Sequence, residues 1–158
     1  MKVTRLGNAK LSFASDKSGV KVTAAGKVTV GATFAGKATI TIKAAATANY
    51  KATTLTRTVT VKPHASAVTV QNVKGLKLKA SWKANKTATG YVIQIALNKD
   101  FTGGKKQAAI KNAATTAKTF TGLKKGKTYY VRLRAYRIDD GVKYYSAWST
   151  VKSVKIAA

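Results

Sequence analysis

Few residues in this chain have side chains suited to acid–base or nucleophilic chemistry. The 158 residues include one histidine, four acidic residues and no cysteine. His64 follows Pro63 in a short polar stretch, which indicates a solvated linker residue rather than a general base. Asp139 and Asp140 are adjacent and precede Gly141, a pattern typical of a hairpin turn rather than of a catalytic carboxylate pair. We therefore expect no catalytic residue and no enzymatic activity.

Metal and cofactor sites are also not expected. The absence of cysteine excludes a disulfide scaffold, a thiolate zinc site and a cysteine nucleophile. Asp16 and Asp100 are far apart in the sequence, so no oxygen-rich calcium loop is visible. The segment 103–106 (GGKK) lacks the flanking pattern of a phosphate-binding loop, and the serines and threonines have no evident histidine or aspartate partner.

The charge is the most unusual property of the sequence. The 30 lysines and arginines against 4 acidic residues give a formal charge of +26, and both halves of the chain are basic. Such a charge attracts polyanions in a salt-dependent way, whether they are wall polymers, anionic lipids, acidic glycans or nucleic acids. Most lysines alternate singly with apolar residues, which also fits plain solubility and protection of strand edges. We expect non-specific attraction to polyanions and no specific nucleic-acid recognition, because no basic helix, zinc finger or RNA-stacking motif is present.

The elements that must position these residues are predicted to be β-strands. Apolar residues recur with a period of two, for example in the segments 76–82, 91–97 and 129–135. Alternation over four to eight residues is typical of half-buried strands, and glycine-containing breaks separate the segments. The alanine-rich stretches are too short and too rich in threonine to predict helices. The fold class is therefore all-β, with two tandem β-sandwiches.

The domain boundary is predicted near Pro63, giving domains of residues 1–63 and 64–158. Proline cannot donate to a strand ladder, and small residues follow it before strands resume at Val68. No apolar run approaches the roughly 18 residues of a membrane-spanning helix, and the first ten residues have no apolar region typical of a secretion signal.

The second half resembles a fibronectin type III domain. Trp82 and Tyr91 match two core positions of that family, and the segment 123–129 (LKKGKTY) resembles its Leu-x-Pro-Gly-x-x-Tyr segment. The resemblance implies that Leu123 is structural and that Tyr129 is a buried tyrosine-corner residue whose hydroxyl bonds to nearby backbone. Lys125 stands where the family usually has proline.

The segment 145–149 (YSAWS) resembles the Trp-Ser-x-Trp-Ser segment of cytokine-receptor fibronectin domains. In that family two aromatic rings stack with arginines of the preceding strand. Here Arg132 and Arg134 point outward if Tyr129 points inward, and a polyproline-II conformation places Tyr145 and Trp148 on one face. We expect these four side chains to form a stack. Only the stacking is carried over, since the first aromatic residue is tyrosine rather than tryptophan.

The first half resembles bacterial Ig-like domains. Residues 22–30 (VTAAGKVTV) and 36–42 (GKATITI) follow their hairpin and Gly-x-Ala/Thr-x-Ile pattern. A complete domain of that type is longer, so the first strands are missing or compressed into residues 1–10. A sandwich below its usual size buries less apolar surface and keeps an open edge. We therefore expect this half to be the less stable one.

The resemblances imply a non-catalytic, extracellular or cell-surface module pair of a bacterial surface or secreted protein, serving as a spacer or in adhesion. Its partners are then an anionic cell-wall polymer or glycan and other modules of the parent chain. The alternatives are a carbohydrate- or polyanion-binding module and an accessory domain of a larger secreted enzyme. The candidate binding residues are outward aromatic and basic side chains: Tyr130, Arg132, Arg134, Tyr136, Tyr145 and Trp148. We favour a structural role for this face, because cross-strand aromatic and arginine pairs stabilise a sheet without any ligand.

Overall fold

A computed structural model describes residues 8–157, and every regular element among them is a β-strand. The predicted all-β fold class is confirmed. Within residues 8–157 no helix is long and apolar enough to cross a membrane. The chain divides into two compact units, Met1–Val61 and Lys62–Ala158, so the division falls two residues before the predicted one.

The described part of unit 1, residues 8–61, contains five strands. They are β1 (Leu11–Ser15), β2 (Val20–Val22), β3 (Val28–Val30), β4 (Gly36–Ala44) and β5 (Thr53–Val61). A three-stranded antiparallel sheet has the order β1-β4-β5, and β2 pairs with β3 in a separate hairpin. The hairpin turn contains Gly26, whose φ of +77° favours glycine.

The core that residues 8–61 form in unit 1 is small. Its buried side chains are those of Val20, Ala38, Ile40 and Ile42, with Phe13 and Phe34 among the half-buried residues around them. Residues 1–7, on which the prediction of compressed first strands falls, lie outside the described residues. Residues 8–10 do not form a strand.

Residues 62–157 of unit 2 contain eight strands that form a β-sandwich of two sheets. They are β6 (Val68–Val73), β7 (Lys77–Trp82), β8 (Gly90–Ala96), β9 (Lys106–Ile110), β10 (Ala117–Phe120), β11 (Thr128–Asp139), β12 (Val142–Tyr145) and β13 (Lys152–Lys155). One sheet has the order β10-β7-β6. The other has the order β12-β11-β8-β9, with β13 also paired to β11.

The core of unit 2 fills the space between its sheets. Alternate residues of β7 and β11 supply buried aliphatic side chains, as the period of two predicts. The ring of Tyr91 packs against Trp82 with centroids 5.4 Å apart and is fully buried. The Tyr91 hydroxyl accepts from the Asn85 amide at 2.8 Å and donates to the Ala113 carbonyl at 2.9 Å.

Strand β8 differs from its sequence prediction, because all seven of its residues are buried. The alternation of residues 91–97 predicted a strand with one buried face and one solvent-exposed face. In the structure Val92, Gln94 and Ala96 on that face are also buried, and Gln94 contacts Arg132 and Gln107. Leu97, the last member of the apolar series, lies beyond the strand and is 38 % exposed.

The predicted linker is part of unit 2. Pro63 is buried, and the His64 amide donates to Thr87 Oγ1 at 3.0 Å. Asn85 Nδ2 donates to the His64 carbonyl at 2.7 Å and to Ser66 Oγ at 3.2 Å. The sequence pattern predicted a solvated linker, but side chains of the loop between β7 and β8 bond to the amide and the carbonyl of His64. The His64 side chain itself is exposed.

Candidate functional site

The candidate site lies on the outer face of the larger sheet of unit 2. Strand β11 places Val131 and Leu133 in the core, so Arg132 and Arg134 point to the opposite face. Opposite β11, β8 contributes Gln94 to the same face as Arg132. We call the aromatic and basic side chains assembled here the arginine stack: Phe101, Arg132, Trp148, Arg134, Tyr145, Tyr136 and Lys143.

Guanidinium groups and rings alternate along the arginine stack. The Arg132 guanidinium carbon lies 4.1 Å from the ring centroid of Phe101 and 4.3 Å from that of Trp148. On the other side of Trp148, Arg134 lies 4.4 Å from this ring and 3.9 Å from Tyr145. Each guanidinium is therefore enclosed between two aromatic faces. A cation–π contact contributes about 0.5–2 kcal/mol, depending on how far it is desolvated.

The stack continues beyond Tyr145 through one contact between rings. The centroids of Tyr145 and Tyr136 are 6.1 Å apart, and their planes are tilted by 58°. Lys143 Nζ lies 5.2 Å from the Tyr136 centroid. The register explains these neighbours, because Tyr136 is directly opposite Tyr145 in the β11–β12 pair.

Two serines hold the segment that carries Trp148 against β11. Ser146 N–H donates to the Ala135 carbonyl at 3.0 Å, and the Ala135 N–H donates to Ser146 Oγ at 3.0 Å. Ser149 repeats this arrangement with Leu133, at 2.7 Å and 3.0 Å. Hydroxyl oxygens thus replace the carbonyls that a paired strand would offer. The spacing of three places the ring-bearing residues 145 and 148 on one face of the segment.

Phe101, which closes one end of the stack, was not predicted as a site residue. It lies in the loop between β8 and β9, has a φ of +64° and is 4 % exposed. Asn98 and Asp100 brace this loop: Asn98 Nδ2 donates to Thr102 Oγ1 at 2.7 Å, and Thr102 Oγ1 donates to Asp100 Oδ1 at 2.9 Å. The hydrogen bonds from the Thr102 hydroxyl and amide lower the pKa of Asp100. The only sequence signal was the spacing of Asn98, Asp100 and Thr102, which is typical of a side-chain-braced turn.

A polar chain across the sheet fixes Arg132. Its Nε donates to Gln94 Oε1 at 2.8 Å, and Gln94 Nε2 donates to Gln107 Oε1 at 2.6 Å. Burial, and secondarily the like charge of Arg134, lower the pKa of Arg132. Gln94 is 6 % exposed and was also absent from the predicted site, because a glutamine within an apolar strand carries no periodic signal.

Arg134 has a different environment. Its Nε is buried and has no hydrogen-bond partner within the described residues. Ring faces contact both arginines of the stack, and Arg132 also donates to Gln94. The Arg134 head group therefore lies between the ring faces of Trp148 and Tyr145.

The structure corrects the expected exposure of Tyr136. The strand period places Tyr136 on the outer face, and it was therefore predicted to be an exposed candidate binding residue. Instead it is 3 % exposed, because Tyr145 and Lys143 cover it, and its hydroxyl donates to the Ile110 carbonyl at 3.3 Å. Tyr130 is half-buried on the same face and lies outside the stack. Strand alternation gives the direction of a side chain but not what covers it.

The residues expected to be structural lie in the core of unit 2. Leu123 is 2 % exposed and Tyr129 is 5 % exposed. The Lys124 amide donates to the Tyr129 hydroxyl at 3.2 Å, which is the backbone contact implied for a tyrosine corner. Lys125 and Gly126 form the turn before β11, and Gly126 has a φ of +74°.

The histidine and the acidic residues between positions 8 and 157 do not form a metal-binding cluster. Asp140 and Gly141, with φ values of +47° and +75°, are the two central residues of the β11–β12 hairpin turn. No three histidine or acidic side chains come together in residues 8–157 in a way that could hold a metal ion. His64 lies in the stretch that precedes β6.

No family model matches the sequence, and no curated protein matches it. Fibronectin III domains are among the solved structures with which it aligns. A Fn3-like protein from Clostridium thermocellum is 19% identical, with a TM-score of 0.47, over 61% of this chain and 95% of that one. The FN5 domain of Drosophila Lar is 20% identical, with a TM-score of 0.47, over 61% of this chain and 98% of that one. The third fibronectin III domain of human KIAA0343 protein is 15% identical, with a TM-score of 0.48, over 61% of this chain and 84% of that one.

Proposed function

We propose that this chain is a non-catalytic spacer and adhesion module pair of a bacterial surface or secreted protein, held against an anionic wall polymer by its cationic surface. One observation carries the proposal: every lysine of the described residues except Lys17 is exposed. The formal charge of the whole chain is +26, so these ammonium groups face solvent with few acidic neighbours. A flexible phosphate-bearing polymer is the kind of partner that a dispersed field of this sign attracts.

The arginine stack supports a structural role, rather than a sugar-binding one, for the outer face of β11 that carries the tyrosines and arginines, which we call the Tyr/Arg face. Both faces of each guanidinium are occupied by rings of the same chain, and Phe101 and Tyr136 are buried. A sugar ring would have to displace these contacts before it could stack. The exposed lysines of β7, Lys77 and Lys79, need no such rearrangement.

The test is binding of the intact chain to immobilised poly(glycerol phosphate) at increasing salt. We expect the apparent affinity to fall at least about tenfold between about 50 and 500 mM NaCl, because dispersed charge contacts are screened. The double variant Lys77→Gln/Lys79→Gln should weaken binding by a few-fold without changing the unfolding midpoint. Its matched control is Gln71→Asn/Thr119→Ser on the same sheet face, which leaves the charge unchanged.

Three results would overturn the proposal. Salt-independent binding would indicate a specific site rather than a diffuse field. Loss of binding in a folded Arg132→Lys/Arg134→Lys variant, which keeps the charge, would place that site on the Tyr/Arg face. Binding of duplex DNA that persists at physiological salt while the polymer is released would indicate a nucleic-acid partner.

A further inference from the structure

Strand β5 has one free edge within the part of the chain that the structure describes. It is nine residues long and pairs with β4 alone. Its first six residues are exposed, and only Val59 and Val61 are half-buried. An edge of this length presents a row of backbone donors and acceptors that another strand can use.

The hydrogen bonds of β4 show which residues of β5 face this edge. The Thr39 carbonyl accepts from the Asp16 amide at 3.1 Å, so odd-numbered residues of β4 face the β1 side. The backbone amides and carbonyls of even-numbered β4 residues therefore point toward β5. Their partners in β5, such as Arg57 opposite Ile40, point their own amides and carbonyls toward β4. The amides and carbonyls of the four even-numbered threonines point to the free edge: Thr54, Thr56, Thr58 and Thr60. The Arg57 guanidinium donates to the Thr56 carbonyl at 3.1 Å, which is consistent with that direction.

The side chains of β5 are unusual for an edge strand of this protein. Its sequence, TTLTRTVTV, contains one charged residue, whereas the chain as a whole carries 30 basic residues. Lysine, proline and bulges, which natural proteins use to block edges, are absent from it. Leu55 is on the core side of the sheet, opposite the buried Ile42, yet it is 41 % exposed. The core side of β5 thus carries the apolar side chains of Leu55, Val59 and Val61 around Arg57, and it is incompletely covered.

The charge of Arg57 favours some added strands over others at the free edge of β5. It lies at the centre of β5, on the same side of the sheet as Ile40. If a second copy of β5 paired in the centred antiparallel register, its Arg57 would be directly opposite, and like charges in that position are destabilising. A carboxylate in that position would be attracted to the guanidinium.

We propose that the free edge of β5 accepts an extended segment of another polypeptide, with apolar residues at alternate positions and an acidic residue opposite Arg57. The segment would extend the β1-β4-β5 sheet by one strand, bond to the backbone of the four threonines, and cover Leu55 and Val59. Backbone hydrogen bonds supply affinity in this mode of recognition, and the alternate side chains supply specificity. The inference is independent of the proposed function, since it rests on the edge of β5 and not on the exposed lysines.

The probe is a fluorescent nine-residue peptide, TTLTETVTV, which is the β5 sequence with glutamate at the centre. Its binding to the intact chain is measured by anisotropy at about 150 mM NaCl. We expect saturable binding that is at least about tenfold tighter than that of the parent peptide TTLTRTVTV. In the Arg57→Glu variant the preference should reverse, which non-specific attraction to a basic protein cannot produce.

A proline variant tests whether the edge is the binding surface. Thr58→Pro removes an amide of the free edge and leaves the β4–β5 hydrogen bonds, and we expect it to weaken binding at least about tenfold. Thr58→Ser is the matched control that keeps the amide, and amide NMR spectra check that both variants fold. The inference is wrong if both peptides bind the parent chain equally, if Thr58→Pro binds as tightly as the parent, or if sedimentation shows that copies of the chain dimerise through this edge.

Discussion

At the residue scale, the arginines of β11 show how a like-charged pair is tolerated on one sheet face. Arg132 and Arg134 are two residues apart on β11 and point to the same face of the sheet. The ring of Trp148 lies between their guanidinium groups, at 4.3 Å and 4.4 Å. Ring faces attract both cations, so the aromatic residues stabilise two neighbouring positive charges.

We expect Arg134→Lys to lower the unfolding free energy of unit 2 by about 1–2 kcal/mol. Lysine keeps the charge but loses the planar group that stacks on Trp148 and Tyr145. The measurement is urea unfolding monitored by tryptophan fluorescence. This signal reports on unit 2 because both tryptophans lie there. The control is Arg57→Lys in unit 1, which should leave this transition unchanged. A loss below about 0.3 kcal/mol for Arg134→Lys would mean that the stack contributes little.

At the element scale, the segment after β12 runs beside β11 and bonds to it without forming a β-strand. Residues 146–150 have no regular structure, yet Ser146 and Ser149 each make two hydrogen bonds to β11. The long strand β11 therefore has partners on this side along most of its length, from β13 through the two serines to β12. A continuous ladder would place successive side chains on opposite faces, whereas the spacing of three places Tyr145 and Trp148 together.

We expect Ser146→Ala and Ser149→Ala each to cost about 1–3 kcal/mol in unit 2. Each substitution leaves a β11 amide, that of Ala135 or Leu133, without its acceptor. Hydrogen exchange of these two amides should accelerate in the respective variant and stay slow in the control Ser153→Ala, whose side chain is exposed on β13. Unchanged exchange would show that the hydroxyls are dispensable acceptors.

At the scale of the whole molecule, the two units differ in the size of their cores. Among the described residues, the buried cluster of unit 1 has four members and that of unit 2 has fifteen. A smaller core offsets less of the conformational entropy lost on folding. The uncovered Leu55 in β5 belongs to the weaker unit.

We therefore expect two unfolding transitions in the intact chain, with unit 1 unfolding first. Calorimetry should resolve two peaks, and tryptophan fluorescence should follow only the later one. Limited trypsin digestion gives an independent measurement, since lysines occur in both units, and the first cuts should lie within residues 8–61. A single transition with coincident fluorescence and calorimetric midpoints would contradict this expectation.

The sequence determined the fold class, the direction of most strand side chains and the turn at Asp140–Gly141, because these depend on local period and on backbone preferences. It also indicated which aromatic residues could meet Arg132 and Arg134. The tertiary structure alone decided that Phe101 closes the stack, that Gln94 fixes Arg132 and that Tyr136 is buried. These contacts join residues that are distant in the chain, and no local period records which loop folds over which face of a sheet.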